Sequence, residues 1–263
     1  MHHHNWGRHL WLFIGVLVAG MAHPPQASAD SVDLTFHNVS PSMNVTFSLA
    51  GAHVYNQTTA AGAFNWSGTG GRLKGDFTSF CIELTQNICP GGHYHYTLVD
   101  PSAAGNPDKG IFGVGTMGPM GKVRAELLSE LFGRHYGDVV KADRKHAAGN
   151  AAAFQMAVWE IVYDGNSDRS HHFNLDLGAT VPKGYTNNFW AHSSDSKVNT
   201  LAQNWLNDLT GTGPEMKLTG LTSPDAQDQI TPAMPSPEPS TFVLAVLAAV
   251  CQFIRMVGNR ICR

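Results

Sequence analysis

Between Asp30 and Leu98 the chain is a succession of short runs rich in Val, Phe, Thr and Tyr, cut apart by Gly, Asn and Ser: Asp33–Val39 (DLTFHNV), Asn44–Gly51 (NVTFSLAG), Ala52–Thr58 (AHVYNQT), Gly62–Gly68 (GAFNWSG) and Asp76–Leu84 (DFTSFCIEL). β-Branched and aromatic residues at this spacing, with turn formers between them, dictate a β-rich first half. Helical periodicity follows over Lys122–Phe132, Ala147–Tyr163 and Val198–Leu209, the last two with apolar residues three and four apart. Met216–Leu221 and Gln227–Ile230 are short enough to add closing strands. The expected fold is therefore α+β: a barrel- or sandwich-like sheet domain over residues 30–230 with about three packed helices.

The ends are of another kind. Arg8 precedes an apolar run, Leu10–Ala22, and Ala27-Ser28-Ala29 supplies the small residues that signal peptidase reads, so residues 1–29 are expected to be a cleaved secretory signal. At the other end Thr231–Pro239 (TPAMPSPEP) reads as a stiff linker over 231–240. Residues 241–263 then hold the apolar run Phe242–Ile254 and a basic end with Arg255, Arg260 and Arg263. A stable span needs about 20 apolar residues, so this run reads better as a signal than as a lasting anchor. With a net charge of -3 there is no basic field to hold a polyanion, which excludes nucleic acid as a partner.

Pro237-Glu238-Pro239-Ser240, the apolar run and the terminal arginines from Arg255 onward together resemble the PEP-CTERM sorting tail of exopolysaccharide-producing Gram-negative bacteria. The resemblance implies transient retention in the inner membrane, cleavage near the Pro-Glu-Pro by an exosortase-type enzyme, and delivery to the cell surface or extracellular matrix. An ordinary C-terminal anchor is the alternative.

The sorting that this resemblance implies would remove Cys251 and Cys262 and leave Cys81 and Cys89. An exported protein with two cysteines is expected to join them. Yet Phe80, Ile82, Leu84 and Ile88 share one parity, as in a single strand, and a strand would hold the cysteines more than about 20 Å apart. A hairpin turning at Gln86-Asn87 would restore the bridge; free thiols are the third possibility. The same parity sets Cys81 with Ser79 and Glu83 on the opposite face, toward a second layer, for which the Ala147–Tyr163 helix is the natural candidate. On that helix Gln155 stands one turn after Ala151 and one turn before Trp159, in apolar company. A buried carboxamide needs hydrogen-bond partners or a chemical purpose.

Phe80-Cys81-Ile82-Glu83-Leu84 and, 74 residues later, Phe154-Gln155-Met156-Ala157-Val158-Trp159 are similar to the paired signature of thioester domains, the TQxA-type modules of bacterial surface adhesins. The similarity extends to Thr85-Gln86, to Ala202–Leu206 and to Gln227-Asp228-Gln229; Phe154 stands where the adhesins place Thr. It implies an internal thioester between Cys81 and Gln155, formed without a cofactor and opened by an amine- or hydroxyl-bearing surface or matrix target. Phe80, Phe154 and Trp159 would wall the bond off from water, and Glu83 or a histidine would move the proton.

Other chemistry finds less support. His93 and His95 share a strand face and His171-His172 follow a loop, without a third ligand for a metal. Asp164–Asp168 begins like a calcium loop but has Arg169 and Leu175 at its key positions. Pro101–Gly121 is glycine-rich but misspaced for a phosphate loop, and no hydrolase elbow or zinc-protease helix occurs, so the chain is not expected to be an enzyme. Asn38, Asn44, Asn56 and Asn65 begin N-x-S/T triplets, but the sorting-tail resemblance implies a bacterium, so eukaryotic-type glycans are not expected there. The alternative from another class is a non-covalent matrix or glycan-binding module using Trp66, Tyr94 and Tyr96 as sugar platforms, with Cys81 and Cys89 bridged or free.

Overall fold

The computed structural model describes residues 30–49, 52, 54–105, 119–164, 175 and 189–234. The signal peptide, the sorting motif Pro237, Glu238 and Pro239 with Arg255, and His171-His172 lie outside the described residues. Among those described, no helix is long and apolar enough to cross a membrane.

Seven strands and three helices are described: β1 (Ser31–Leu49), β2 (Val54–Gly68), β3 (Gly75–Cys81), β4 (His93–Val99), α1 (Gly121–Val140), α2 (Ala147–Asp164), β5 (Phe189–Ser193), α3 (Ser196–Asn207), β6 (Leu218–Thr222) and β7 (Gln229–Pro232). Every pairing is antiparallel. The sheet order β2-β3-β7-β6-β4-β1 is closed by β1 pairing with β2, so six strands form a ring, and β5 adds to the far half of β1. Of the barrel- and sandwich-like forms left open by the sequence, the closed ring is the barrel, and β7 carries it to Pro232, two residues into the stretch read as linker.

The first four strand-like runs are in fact two long strands. Asn38–Ser42 reads as a breaker, yet β1 continues through it because register shifts at Phe36/Asn38 and Val39/Ser42 absorb the irregular residues. The backbone groups freed there are met by a side chain: Asn65 Nδ2 donates to Asn38 Oδ1 (2.8 Å) and to the Ser40 carbonyl (2.6 Å). Gly62 faces this bulge, and a Cβ there would collide with the Pro41 carbonyl.

Helix α2 is the centre of the molecule. All thirteen residues from Ala151 to Tyr163 are buried, as expected of a helix covered on every side. It packs on β1, β2, β3 and β5 and against both other helices. The small side chains of Ala151, Ala152 and Ala153 leave room for that close approach. Helix α1 runs eight residues past the expected end at Phe132, crossing Gly133, where the Pro214 carbonyl lies too close for any Cβ. The buried Glu130 of α1 fastens the returning chain: it accepts hydrogen bonds from the Thr210 and Gly211 amides and from Arg134 Nε, which together hold its carboxyl below the usual range against the opposing effect of burial.

A buried polar chain ties β2, β3 and β7 together. Trp66 Nε1 donates to Ser79 Oγ (2.8 Å), which donates to Gln229 Oε1 (2.8 Å). Ser79→Ala breaks both links while the groups stay buried, and is expected to lower stability to denaturant by about 2 kcal/mol.

Candidate functional site: the Cys81–Gln155 junction

Strand β3 pairs with β2 only from Gly75 to Ser79; beyond that its other edge is still paired with β7, at Phe80↔Ile230 and Cys81↔Gln229. In an extended strand the N–H and C=O of one residue point to the same edge. At Cys81 that edge is the one β2 has left, and the carboxamide of Gln155 fills the gap. Its Oε1 accepts from the Cys81 amide at 2.9 Å and its Nε2 donates to the Cys81 carbonyl at 2.8 Å. Both residues are 0% exposed. Both ends of the buried Gln155 carboxamide are thus engaged, by the two backbone groups of Cys81.

Side chains of α2 follow the strand end in a stripe one turn apart. Gln155 meets Cys81, the Trp159 indole lies beside the Cys81 thiol, and Tyr163 Oη accepts from the Leu84 amide at 2.8 Å. On the other face of the strand the Phe80 ring packs on Phe154 of α2, with centroids 4.7 Å apart, and on Phe132 of α1. The helix therefore reaches both faces of β3, whereas parity alone had assigned it to the Cys81 face. Phe80, Phe154 and Trp159 enclose the junction without leaving it open to solvent.

The strand was expected to run on toward Ile88, but it ends at Cys81. Cys81 Sγ donates to the Glu83 carbonyl (2.7 Å) and accepts from the Glu83 amide (3.4 Å), folding the chain around the sulfur. Cys89 is exposed, its amide bound to Tyr94 Oη, and both cysteines are free thiols; no bridge joins them.

Burial pushes the Cys81 thiol up to about 12, and the nearby charges of Glu83 and Asp228 add to the effect, while the Glu83 amide and the Trp159 indole oppose it. The thiol is therefore protonated at neutral pH and, left to itself, a poor nucleophile. The carboxyl of Glu83 is also buried. Its Oε1 accepts from Thr85 Oγ1 (2.8 Å) and its Oε2 from the Asp228 amide (3.1 Å). Burial outweighs these bonds and, with the Asp228 charge, raises it from 4.5 to about 7. Among the described residues the charges acting on Cys81 are the carboxyls of Glu83 and Asp228.

That shift has a measurable sign. The folded chain keeps a proton that the unfolded chain releases near 4.5, so this contribution to stability is complete below that pH and is lost as pH rises through about 7. Unfolding free energy is expected to fall by roughly 2–3 kcal/mol across this window. In Glu83→Gln the slope should flatten, as read from denaturation curves at successive pH values.

The remaining expectations divide. Trp66 and Tyr96 are 0% exposed, and Tyr96 Oη is committed to the Gln227 carbonyl (2.8 Å), so the sugar platform built on them is excluded. Tyr94 alone of the three is partly exposed. His93 and His95 do share the outward face of β4, engaged by Thr35 and Asp33; among the described residues no cluster of three or more metal-ligand side chains occurs. Asp228 and Gln229 stand out as the residues that composition and periodicity missed. Their signal is a run of polar residues, Gln227-Asp228-Gln229, immediately before an apolar strand residue, Ile230, in a segment too short to be a surface helix.

No protein-family model matches the chain, and no curated protein matches it in sequence. Among solved structures, the N-terminal thioester domain of a surface protein from Clostridium perfringens is similar over 72% of this chain and 97% of that domain, at 10% identity and a TM-score of 0.37.

Proposed function

We propose that Cys81 and Gln155 form an internal thioester and that the protein is an exported surface or matrix component that attaches covalently through Gln155. The observation that carries this reading is the pair of reciprocal hydrogen bonds between the Gln155 carboxamide and the Cys81 peptide groups. They hold the amide against the strand edge in the place of a neighbouring strand, and the side chain of a strand residue stands out of the sheet plane. Thioester formation then requires the sulfur to add to the carboxamide carbon from its face, as addition to a carbonyl does.

The Cys81 amide, already bound to Oε1, is placed to stabilise the oxyanion of the tetrahedral intermediate. The Sγ–Cδ bond forms, the Cδ–Nε2 bond breaks, and the thiol proton leaves with the nitrogen as ammonia, carried by the carboxyl of Glu83. An amine that later attacks the same carbon forms an amide, and its proton returns to the Cys81 sulfur. Burial of the junction protects the bond from water until a target arrives. The apolar runs and Pro-Glu-Pro at the chain ends support export through signal peptidase, brief residence in the inner membrane and release by an exosortase-type enzyme.

Fluorescent amine labelling tests the reading. The exported protein should take up one equivalent, with the label mapping to Gln155, and Cys81→Ala should take up none. Equal labelling of the two proteins would refute it.

A further inference from the structure

Trp159 carries a donor with no settled partner. Its indole nitrogen is buried and makes no hydrogen bond of good geometry. Buried donors are nearly always paired, and an exception calls for a reason. One turn along α2 from Gln155, the ring lies beside the Cys81 sulfur, where it favours the ionised thiol. A protonated thiol or a thioester sulfur is a weak acceptor, whereas a thiolate is a strong one. The indole N–H is therefore poorly satisfied in the resting forms of the junction and well satisfied only when the sulfur carries charge.

We infer that Trp159 is a catalytic residue of the junction, its indole N–H stabilising the negative charge that develops on Cys81 Sγ as the thioester forms and again as an amine opens it. This rests on the thioester reading. In formation the sulfur gives up its proton, attacks Cδ of Gln155, and ammonia departs. In opening, the attacking amine forms the new C–N bond, the S–C bond breaks, and the electron pair returns to the sulfur, which takes up the proton the amine releases. The charge on oxygen meets the Cys81 amide and the charge on sulfur meets Trp159, one donor from the strand and one from the helix. An interaction present mainly in the transition state raises rate without tightening the resting state.

The test uses the whole exported chain. In Trp159→Phe, which keeps a ring but no N–H, methylamine should consume the thioester about 10- to 100-fold more slowly than in the wild type, and alkylation of the released Cys81 should shift to higher pH. In wild-type protein labelled with 15N-tryptophan, the Trp159 indole resonance should move downfield as Cys81 ionises after ring opening. This measurement holds even if the variant fails to fold. Wild-type rates in Trp159→Phe, or an indole signal indifferent to Cys81 ionisation, would overturn the assignment of Trp159 alone. A wild-type chain that never loses ammonia would overturn the thioester reading and this inference with it.

Discussion

Mature protein purified without primary amines is expected to weigh about 17 Da less than its sequence, because one ammonia has left Gln155. Methylamine should bring the mass to about 14 Da above the sequence value, since it replaces that ammonia with a methylated amine. The thiol count should change with it. Cys89 is exposed in every state and should alkylate throughout, while Cys81 becomes available only after methylamine has opened the bond. A Cys81–Cys89 disulfide would instead remove about 2 Da and both thiols, and methylamine would not return them. Two cysteines of such different exposure thus distinguish three covalent states in a single spectrum. Cys81→Ala should show the sequence mass before and after treatment, because its Gln155 amide stays intact.

In the Cys81→Ala background, Gln155→Leu is expected to cost roughly 3–5 kcal/mol, measured by denaturant unfolding. The two side chains are of similar volume, so the loss comes mainly from the backbone amide and carbonyl of residue 81, both deep in the protein and both deprived of their partner. Gln155→Glu should behave differently. A neutral carboxyl can accept from the amide and donate to the carbonyl, so this variant should keep much of its stability at low pH. It should lose stability as pH rises, because burial disfavours the ionised form. A glutamine that merely filled space would show neither the large loss in the leucine variant nor the pH dependence in the glutamate one.

Much of the fold is written locally. The alternation Val32, Leu34, Phe36 against Asp33, Thr35, His37 marks β1, and the helical spacing of Ala147–Tyr163 places α2 within one residue of its observed end. What local pattern misses is whatever a distant side chain repairs. Asn38–Ser42 reads as a break because the Asn65 amide that rescues it lies on another strand. The residues after Cys81 read as strand because their apolar parity continues, although the sulfur has already bent the chain onto Glu83. For the site, the company that Gln155 keeps was legible as an anomaly, and the family resemblance suggested its partner. That the Glu83 carboxyl is held by the Asp228 amide depends on β7 returning beside β3 after more than half the chain.

The early end of the β2–β3 ladder has one more implication, for anyone wishing to build such a bond into another barrel. Continuing the register Phe64↔Ser79 would set Gly62 opposite Cys81, but Gly62 is held instead against Pro41 and Ser42 by the irregular turn of β1. Had the ladder run one rung further, backbone would have satisfied backbone and the glutamine would have had nowhere to dock. The design rule is to omit a rung: place a cysteine where the sheet lacks a neighbour, then let a helix supply the missing amide from a side chain that can be spent in a reaction.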